Sequence, residues 1–173
     1  MARAKRREKQ IMLVLSMENH EKFLTIAINT AKQARANGNH PFGAILVDAN
    51  GQILLEAQNT VVTEHDCTGH AETNLVRKAS KKYREDFLAK CTLYSSTEPC
   101  AMCSGAIYWA GVGKVVFALS EQGLLGLTGS NKENPTLDLP CREVFARGQK
   151  EIEVIGPMME EFAKTVHQGF WSR

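Results

Sequence analysis

The sequence FGAILVDANGQILLEA, residues 42–57, has two apolar runs on either side of Asn50-Gly51. An Asn-Gly pair between two apolar runs is the strongest short-range signal for a β-hairpin. Around this hairpin, helical and strand patterns alternate along the chain. The predicted elements are a helix over 18–37 that Gly38 ends, a helix that starts near His70, the strand CTLYSS (91–96), the helix CAMCSGAIYWA (100–110), and the strands KVVFAL (114–119) and EIEVIG (151–156). A hairpin followed by alternating helices and strands predicts an α/β fold with a mixed five-stranded sheet.

Two segments follow the fourth predicted strand. Residues 120–140 are rich in Gly, Asn and Pro and predict a long loop, and loops of this length are usually functional or disordered. A last helix is predicted because Met158, Phe162, Val166 and Phe170 recur at four-residue intervals.

The chain is predicted to form one domain. Its 173 residues can bury a substantial core, and its hydrophobic share of 43% is ordinary for a globular protein. Residues 1–17 are predicted to be a disordered basic leader, which leaves a domain over 18–173. No apolar run approaches the roughly 18 residues that a membrane span needs. The five cysteines are odd in number and follow no secretion signal, so we expect a cytoplasmic protein with metal-bound or buried thiols.

The formal net charge of +2 comes from the N-terminus. The first ten residues hold five basic residues and one acidic residue, which leaves 16 basic and 18 acidic residues in the rest of the chain. A protein that binds nucleic acid through phosphate contacts should instead be basic over its folded body. The charge pattern therefore argues against a nucleic-acid substrate without excluding one.

Two motifs bring together residues with metal-binding chemistry. Cys100 and Cys103 are three residues apart at a helix start, so both thiols lie on one face of the first turn. The helix dipole stabilises thiolates at that position. In GHAETNLVRKA (69–79), His70 and Glu72 both reach a point in front of the helix if His70 is the residue that caps it.

These residues suit two kinds of zinc site. Cys67, His70, Cys100 and Cys103 would form a closed structural site. His70, Cys100 and Cys103 alone would leave a fourth position for a water whose pKa zinc lowers towards ~7, which is the catalytic pattern. The catalytic site is favoured because Glu72 would have no role in a closed one, whereas beside a reactive water it can transfer protons.

The combination of H-x-E with P-C-x-x-C is the signature of zinc deaminases. Over about residues 18–120 the chain resembles the cytidine and deoxycytidylate deaminase superfamily. HPFGAILVD, GHAETNLVRKA and STEPCAMCSGAIYWA are most similar to the bacterial guanine deaminase branch, and bacterial tRNA adenosine deaminases come next. The resemblance implies a three-layer α/β/α fold of the cytidine deaminase type, a homodimer or larger oligomer, and hydrolysis that releases ammonia from an amino-bearing ring carbon.

The resemblance also assigns roles to single residues. It implies that His70, Cys100 and Cys103 bind Zn²⁺ and that Glu72 moves protons. The substrate contacts that it implies are the Ala71 backbone, Asn59, Phe42, Trp109 and, as a C-terminal cover, Trp171 or Phe170. Core packing is the alternative for Phe42 and Trp109, and a turn is the alternative for Asn59.

The substrate stays open at this stage. Guanine is the first expectation, a tRNA adenosine is the alternative, and a cytosine or cytidine is a further one. Guanine deaminases read the purine edge with an acid from the segment after the fourth strand. Here the candidates in that segment are Asn131, Glu121 and Glu133. A silent zinc-binding protein is disfavoured because Glu72 is intact.

Overall fold

The computed structural model describes residues 2–129 and 131–171. Its helices are α1 (Ala2–Ala36), α2 (Val61–Glu64), α3 (Ala71–Lys82), α4 (Glu85–Leu88), α5 (Ala101–Ala110), α6 (Glu121–Thr128), α7 (Cys141–Ala146) and α8 (Glu160–Lys164). Its strands are β1 (Gly43–Val47), β2 (Ile53–Gln58), β3 (Thr92–Thr97), β4 (Lys114–Leu119) and β5 (Glu153–Ile155).

The five strands form one mixed sheet in the order β2-β1-β3-β4-β5. Strand β1 is antiparallel to both β2 and β3, whereas β3, β4 and β5 run parallel. Helices α3, α5 and α7 pack on one face of the sheet, and α1 and α8 pack on the other. The predicted three-layer α/β/α fold with a mixed five-stranded sheet is therefore confirmed.

Strand β1 is buried on both faces, which explains its unbroken apolar sequence. Side chains alternate along a strand, so Ala44 and Leu46 join the core beneath α3 and α5, while Ile45 and Val47 join the core beneath α1. Gly43 begins the strand where α1 lies very close. A Cβ at Gly43 would overlap the backbone of α1 at Ala27 and Ala31, so only glycine fits.

Three predicted elements differ from the structure. Helix α1 starts at Ala2, where the sequence predicted a disordered leader over 1–17. The helix continues because no Gly or Pro interrupts the chain before Gly38 and its first half is rich in Ala, Lys, Arg, Glu and Leu, which favour helices.

The predicted loop 120–140 contains helix α6, which the prediction missed. Ser120 caps this helix, since its side-chain oxygen accepts a hydrogen bond from the Gly123 N–H at 3.0 Å. Two glycines interrupt the apolar spacing of α6, so the sequence pattern did not predict a helix. Helix α7 after the loop was also missed.

The last predicted helix is much shorter than expected. Only Glu160–Lys164 is helical, and Phe162 is partly exposed rather than part of a continuous core stripe. The chain then turns, and Gly169 adopts a left-handed backbone. Among the described residues, no helix is both long enough and apolar enough to cross a membrane.

Candidate active site

The site forms where helices α3 and α5 both begin at one edge of the sheet. His70 is the N-cap of α3 and Cys100 is the N-cap of α5, each with extended backbone. Cys103 follows within the first turn of α5. His70 Nδ1 lies 3.5 Å from Cys100 Sγ and 3.6 Å from Cys103 Sγ. The position expected for His70, as the cap rather than inside the helix, is the one that the structure has.

The three side chains form a donor set suited to zinc. Their ligand atoms all lie within 4.8 Å of one another. One imidazole nitrogen and two thiol sulfurs are typical zinc ligands, and three protein ligands leave a position for water. Within residues 2–129 and 131–171, Cys67 is not part of this group and is exposed at the rim of the adjoining cavity. The open three-ligand arrangement therefore fits the structure better than a closed four-ligand site.

The two thiols have opposite pKa shifts. The hydrogen bond from Cys103, with a smaller contribution from His70, lowers the pKa of the Cys100 thiol. The same bond to Cys100, together with burial, raises the pKa of Cys103. The hydrogen bond to Cys100 also raises the pKa of His70. Zinc would displace any thiol proton in this group, because metal-bound thiols are deprotonated.

Glu72 lies in the first turn of α3, next to the three ligands. Its side chain is only 5% exposed. Glu72 Oε1 accepts a hydrogen bond from Ser95 Oγ at 2.6 Å, and Cys103 Sγ lies 3.5 Å from Oε2. Burial raises the pKa of Glu72, while the Ser95 hydrogen bond opposes the rise. A buried carboxyl beside a metal-binding group is the arrangement expected of a general acid and base.

A cavity of about 240 Å³ opens beside this group. It is smaller than the ~300–1,000 Å³ typical of sites for drug-sized ligands. The polar and charged lining residues are Cys67, His70, Glu72, Thr97, Glu98, Cys100, Glu121, Asn134 and Thr136, and the apolar ones are Phe42, Met102, Leu124, Pro135 and Leu137. Within the part of the chain that the structure describes, no lysine or arginine belongs to this lining. The cavity suits a small and mostly uncharged molecule.

Of three further predicted substrate residues, Phe42 lines the cavity, whereas Ala71 and Asn59 are not among its lining residues. Ala71 is the buried first residue of α3. Asn59 is 1% exposed, and its Oδ1 accepts a hydrogen bond from Val61 N–H at 3.1 Å, as a turn residue would. Its Nδ2 is buried and has no hydrogen-bond partner among the described residues. An unpaired buried N–H is costly.

Trp109 does not line the cavity, contrary to the prediction. It is 78% exposed on the outer face of α5. It follows Cys103 by six residues, which places it about 9 Å further along the helix axis. Helical geometry thus separates Trp109 from the site of its own chain.

Trp171 supports the cavity wall from behind. It is buried, its indole N–H donates to His167 Nδ1 at 3.2 Å, and its ring centroid lies 6.2 Å from that of Phe42. Phe170 packs edge-on against Trp171. Neither residue is among those that line the cavity, so the C-terminal aromatic residues hold Phe42 rather than cover the opening.

Of the three candidates in the 120–140 segment, Glu121 is the one that lines the cavity. Asn131 donates its Nδ2 hydrogen bond to the Trp171 carbonyl at 2.9 Å. Glu133 is exposed and lies 3.7 Å from His40. Burial, with the charges of Cys100 and Glu98, raises the pKa of Glu121 to about 7.

The sequence interpretation missed two residues of β3 that reach the site. Ser95 contacts Glu72, and Thr97 lines the cavity with a buried hydroxyl that has no partner among the residues the structure describes. Strand alternation could have found them, since Leu93 packs beneath α3 and α5 and residues two and four positions later share its face.

Comparisons with known proteins agree with this site. The family model of the cytidine and deoxycytidylate deaminase zinc-binding region matches residues 17–119. A probable cytosine deaminase of Schizosaccharomyces pombe is 46% identical over 149 residues, which cover 86% of this chain and 90% of that protein. The Bacillus subtilis guanine deaminase is 47% identical over 104 residues, which cover 60% of this chain and 65% of that protein. The tRNA-specific adenosine deaminase of Bacillus subtilis is 41% identical over 146 residues, with 84% of each covered.

The solved structures support the same fold. A guanine deaminase structure from Nitrosomonas europaea superposes with a TM-score of 0.70 at 23% identity, covering 87% of this chain and 84% of that one. At this identity the likeness shows the fold alone. The predicted superfamily and the predicted zinc cofactor are both confirmed by the family match and the His-Cys-Cys group.

We expect the purified protein to hold about one zinc ion per chain, as a three-ligand site does. Cys67→Ala should retain this zinc, because Cys67 lies outside the ligand group. Cys100→Ala and Cys103→Ala should each lose it, because two protein ligands hold zinc poorly. Metal analysis after dialysis measures the ratio. Loss of zinc from Cys67→Ala would instead establish the closed four-ligand site.

Proposed function

The chain belongs to the cytidine and deoxycytidylate deaminase family, and we propose that it hydrolyses the amino group from a free nucleobase, with guanine as the expected substrate. As a deaminase it is a hydrolase of C–N bonds. We further propose that residues 18–173 form a single deaminase domain. The free cysteines support the expected cytoplasmic location, because such thiols persist in a reducing compartment.

The proposed reaction replaces the amino group of a ring carbon by oxygen and releases ammonia. His70, Cys100 and Cys103 would hold zinc, which when bound would act as a Lewis acid and lower the pKa of a water towards ~7. Glu72 accepts a proton from the attacking water and passes it to the adjacent ring nitrogen. It then carries the second proton to the amino group, which leaves as ammonia. Its position beside all three ligands lets one carboxyl serve both transfers.

The composition of the cavity wall is the observation that carries the free-base proposal. Among the described residues, its lining includes three carboxyl groups, Glu72, Glu98 and Glu121, but no lysine or arginine. A nucleotide or RNA substrate brings phosphates that bind basic side chains. Where these carboxyl groups are ionised, they would repel those phosphates. A neutral base avoids this repulsion, and a cavity of about 240 Å³ has room for it.

Guanine matches the unpaired polar groups of the site. Within the described residues, the Thr97 hydroxyl at the cavity wall and Asn59 Nδ2 after β2 are buried without partners, and Glu121 offers a carboxyl group at the wall. Guanine presents both ring N–H donors and ring acceptors, so it can satisfy more of these groups than a smaller pyrimidine can.

Cytosine is the second candidate. The observation in its favour is the 46% identity to the fission yeast relative, which extends over 86% of this chain. A pyrimidine also fits the cavity, although it leaves more of the polar wall unpaired. A comparison of the rates of ammonia release from guanine and from cytosine therefore distinguishes the two candidates.

Glu72→Gln tests the proton carrier. Glutamine retains the shape and accepts the Ser95 hydrogen bond but cannot take a proton. We expect zinc to stay bound while turnover falls by ~10²–10⁴-fold, the usual range for general acid–base catalysis. Ammonia release measures the turnover, and metal analysis of the same sample measures the bound zinc. A near-normal rate would remove Glu72 from the mechanism.

A substrate panel tests the proposed specificity. Ammonia release should be fastest with guanine among guanine, cytosine, adenine, their nucleosides and tRNA. Glu121→Gln should raise the KM for guanine by ~10–100-fold, the value of a hydrogen bond to a charged group. Glu133→Gln is the matched control, because Glu133 is exposed. Faster release from cytosine would establish the second candidate. Faster editing of tRNA that salt suppresses would overturn the free-base proposal.

We also propose that two copies of the chain associate through α5. The sequence of this helix, AMCSGAIYWA, contains no charged residue, yet Met102 and Trp109 are exposed. Helices that are apolar on all sides are normally buried. A second copy of the same helix would cover this face, in agreement with the homodimer that the resemblance implies.

Trp109→Glu tests the association. The wild-type protein should sediment as two chains, and Trp109→Glu should sediment as one because a carboxylate would be buried at the contact. Phe162→Glu is the control. Phe162 is also a partly exposed aromatic residue, but it lies on α8, on the opposite face of the sheet. A wild-type monomer, or a dimer that survives Trp109→Glu, would contradict the proposal.

A further inference from the structure

The shortest hydrogen bond to the Glu72 carboxyl group comes from the hydroxyl group of Ser95. Ser95 Oγ donates to Glu72 Oε1 at 2.6 Å. Ser95 is 1% exposed and Glu72 is 5% exposed, so bulk water does not compete for this bond. A short O–H···O bond to a carboxyl group is among the stronger hydrogen bonds in proteins.

The two oxygens of Glu72 have different surroundings. Oε1 points to Ser95 on the sheet, whereas Oε2 lies 3.5 Å from the Cys103 sulfur. Ser95 has one hydroxyl proton, and the Glu72 bond uses it. The bond therefore fixes which carboxyl oxygen faces the metal ligands and the cavity.

The Ser95 bond adds to a smaller restraint from the backbone N–H of Glu72, which also hydrogen-bonds the Glu72 carboxyl group. Glu72 lies in the first turn of α3, and its carboxyl group is separated from the backbone by three rotatable bonds. On the ligand side, Cys103 would become a metal ligand, so its deprotonated sulfur could not hold the carboxyl as a donor. Strand β3 lies in the middle of the sheet and provides a rigid anchor.

We propose that Ser95 is a positioning residue that holds Glu72 in the orientation for proton transfer. This inference rests on the proposed role of Glu72 as the proton carrier. Ser95 does not line the cavity, so it acts through Glu72 and not through the substrate. Its loss should reduce the rate of the chemical step and leave substrate binding unchanged.

The central experiment compares Ser95→Ala with Ser96→Ala. Ser96 is the next residue of β3, is also 1% exposed, and accepts a hydrogen bond from Gly43 N–H at 3.1 Å. The two variants thus remove one buried hydroxyl each from the same strand, and only Ser95 contacts Glu72. We expect Ser95→Ala to lower kcat by ~10–100-fold, the effect of a small misplacement of a catalytic group. Its KM should stay within about twofold, and Ser96→Ala should change kcat by less than about threefold.

Two further readouts separate positioning from general damage. Zinc content and melting temperature should be similar in the two variants. Crystal structures should show the Glu72 carboxyl displaced in Ser95→Ala and in place in Ser96→Ala. In a Glu72→Gln background, Ser95→Ala should cause little additional loss of kcat, because the group that it positions no longer transfers protons.

The possible results distinguish a failure of the Ser95 inference from a failure of the proposed function. If Glu72→Gln is impaired and Ser95→Ala matches Ser96→Ala, the Ser95 inference is overturned and the function stands. A raised KM at constant kcat, or an undisplaced Glu72, likewise overturns it. If Glu72→Gln turns over normally, the proposed mechanism fails and the inference fails with it. Losses that simply multiply in the double variant would show that Ser95 has a structural role only.

Discussion

The meeting of two helix N-termini at one edge of the sheet is the constraint on which the site depends. His70 and Cys100 cap α3 and α5 with extended backbone, which directs their side chains towards each other in front of both helices. The positive ends of the two helix dipoles favour thiolates at this point. The sheet fixes the distance between the helices, because both pack on the core that Leu93 and Ala44 share.

A second carboxyl group, that of Glu98, connects this centre to the segment that shapes the cavity. Glu98 Oε2 accepts a hydrogen bond from Glu121 N–H, and Oε1 accepts one from Cys141 N–H, both at 3.1 Å. These N–H groups belong to the first residues of α6 and α7, where a helix has unpaired donors. One side chain two residues before Cys100 therefore holds both helices. It also places the Glu121 carboxyl at the cavity.

The parts of the fold that local patterns specify could be predicted from the sequence. The hairpin, the succession of strands along the chain, and the meeting of His70, Glu72, Cys100 and Cys103 follow from turn residues, apolar spacing and ligand spacing. Other features depend on contacts between distant segments, which no local pattern contains. Helix α6 has a local Ser120 cap, but it also depends on Glu98, which lies 23 residues before Glu121. The exposure of Trp109 depends on how α5 is docked on the sheet.

Local patterns specify the metal-binding group but not the cavity wall. A zinc motif therefore identifies the reaction and not the substrate. The proposed metal ligands and proton carrier come from two helix starts whose backbone geometry is fixed by the sheet. The polar groups proposed to read a base come from other places: Asn59 after β2, Thr97 at the end of β3, and Glu121 in α6. These positions can change without disturbing the metal ligands, and deaminases similar to this chain have cytosine, guanine and tRNA in their names. Substrate choice in this fold is therefore a property of the cavity wall.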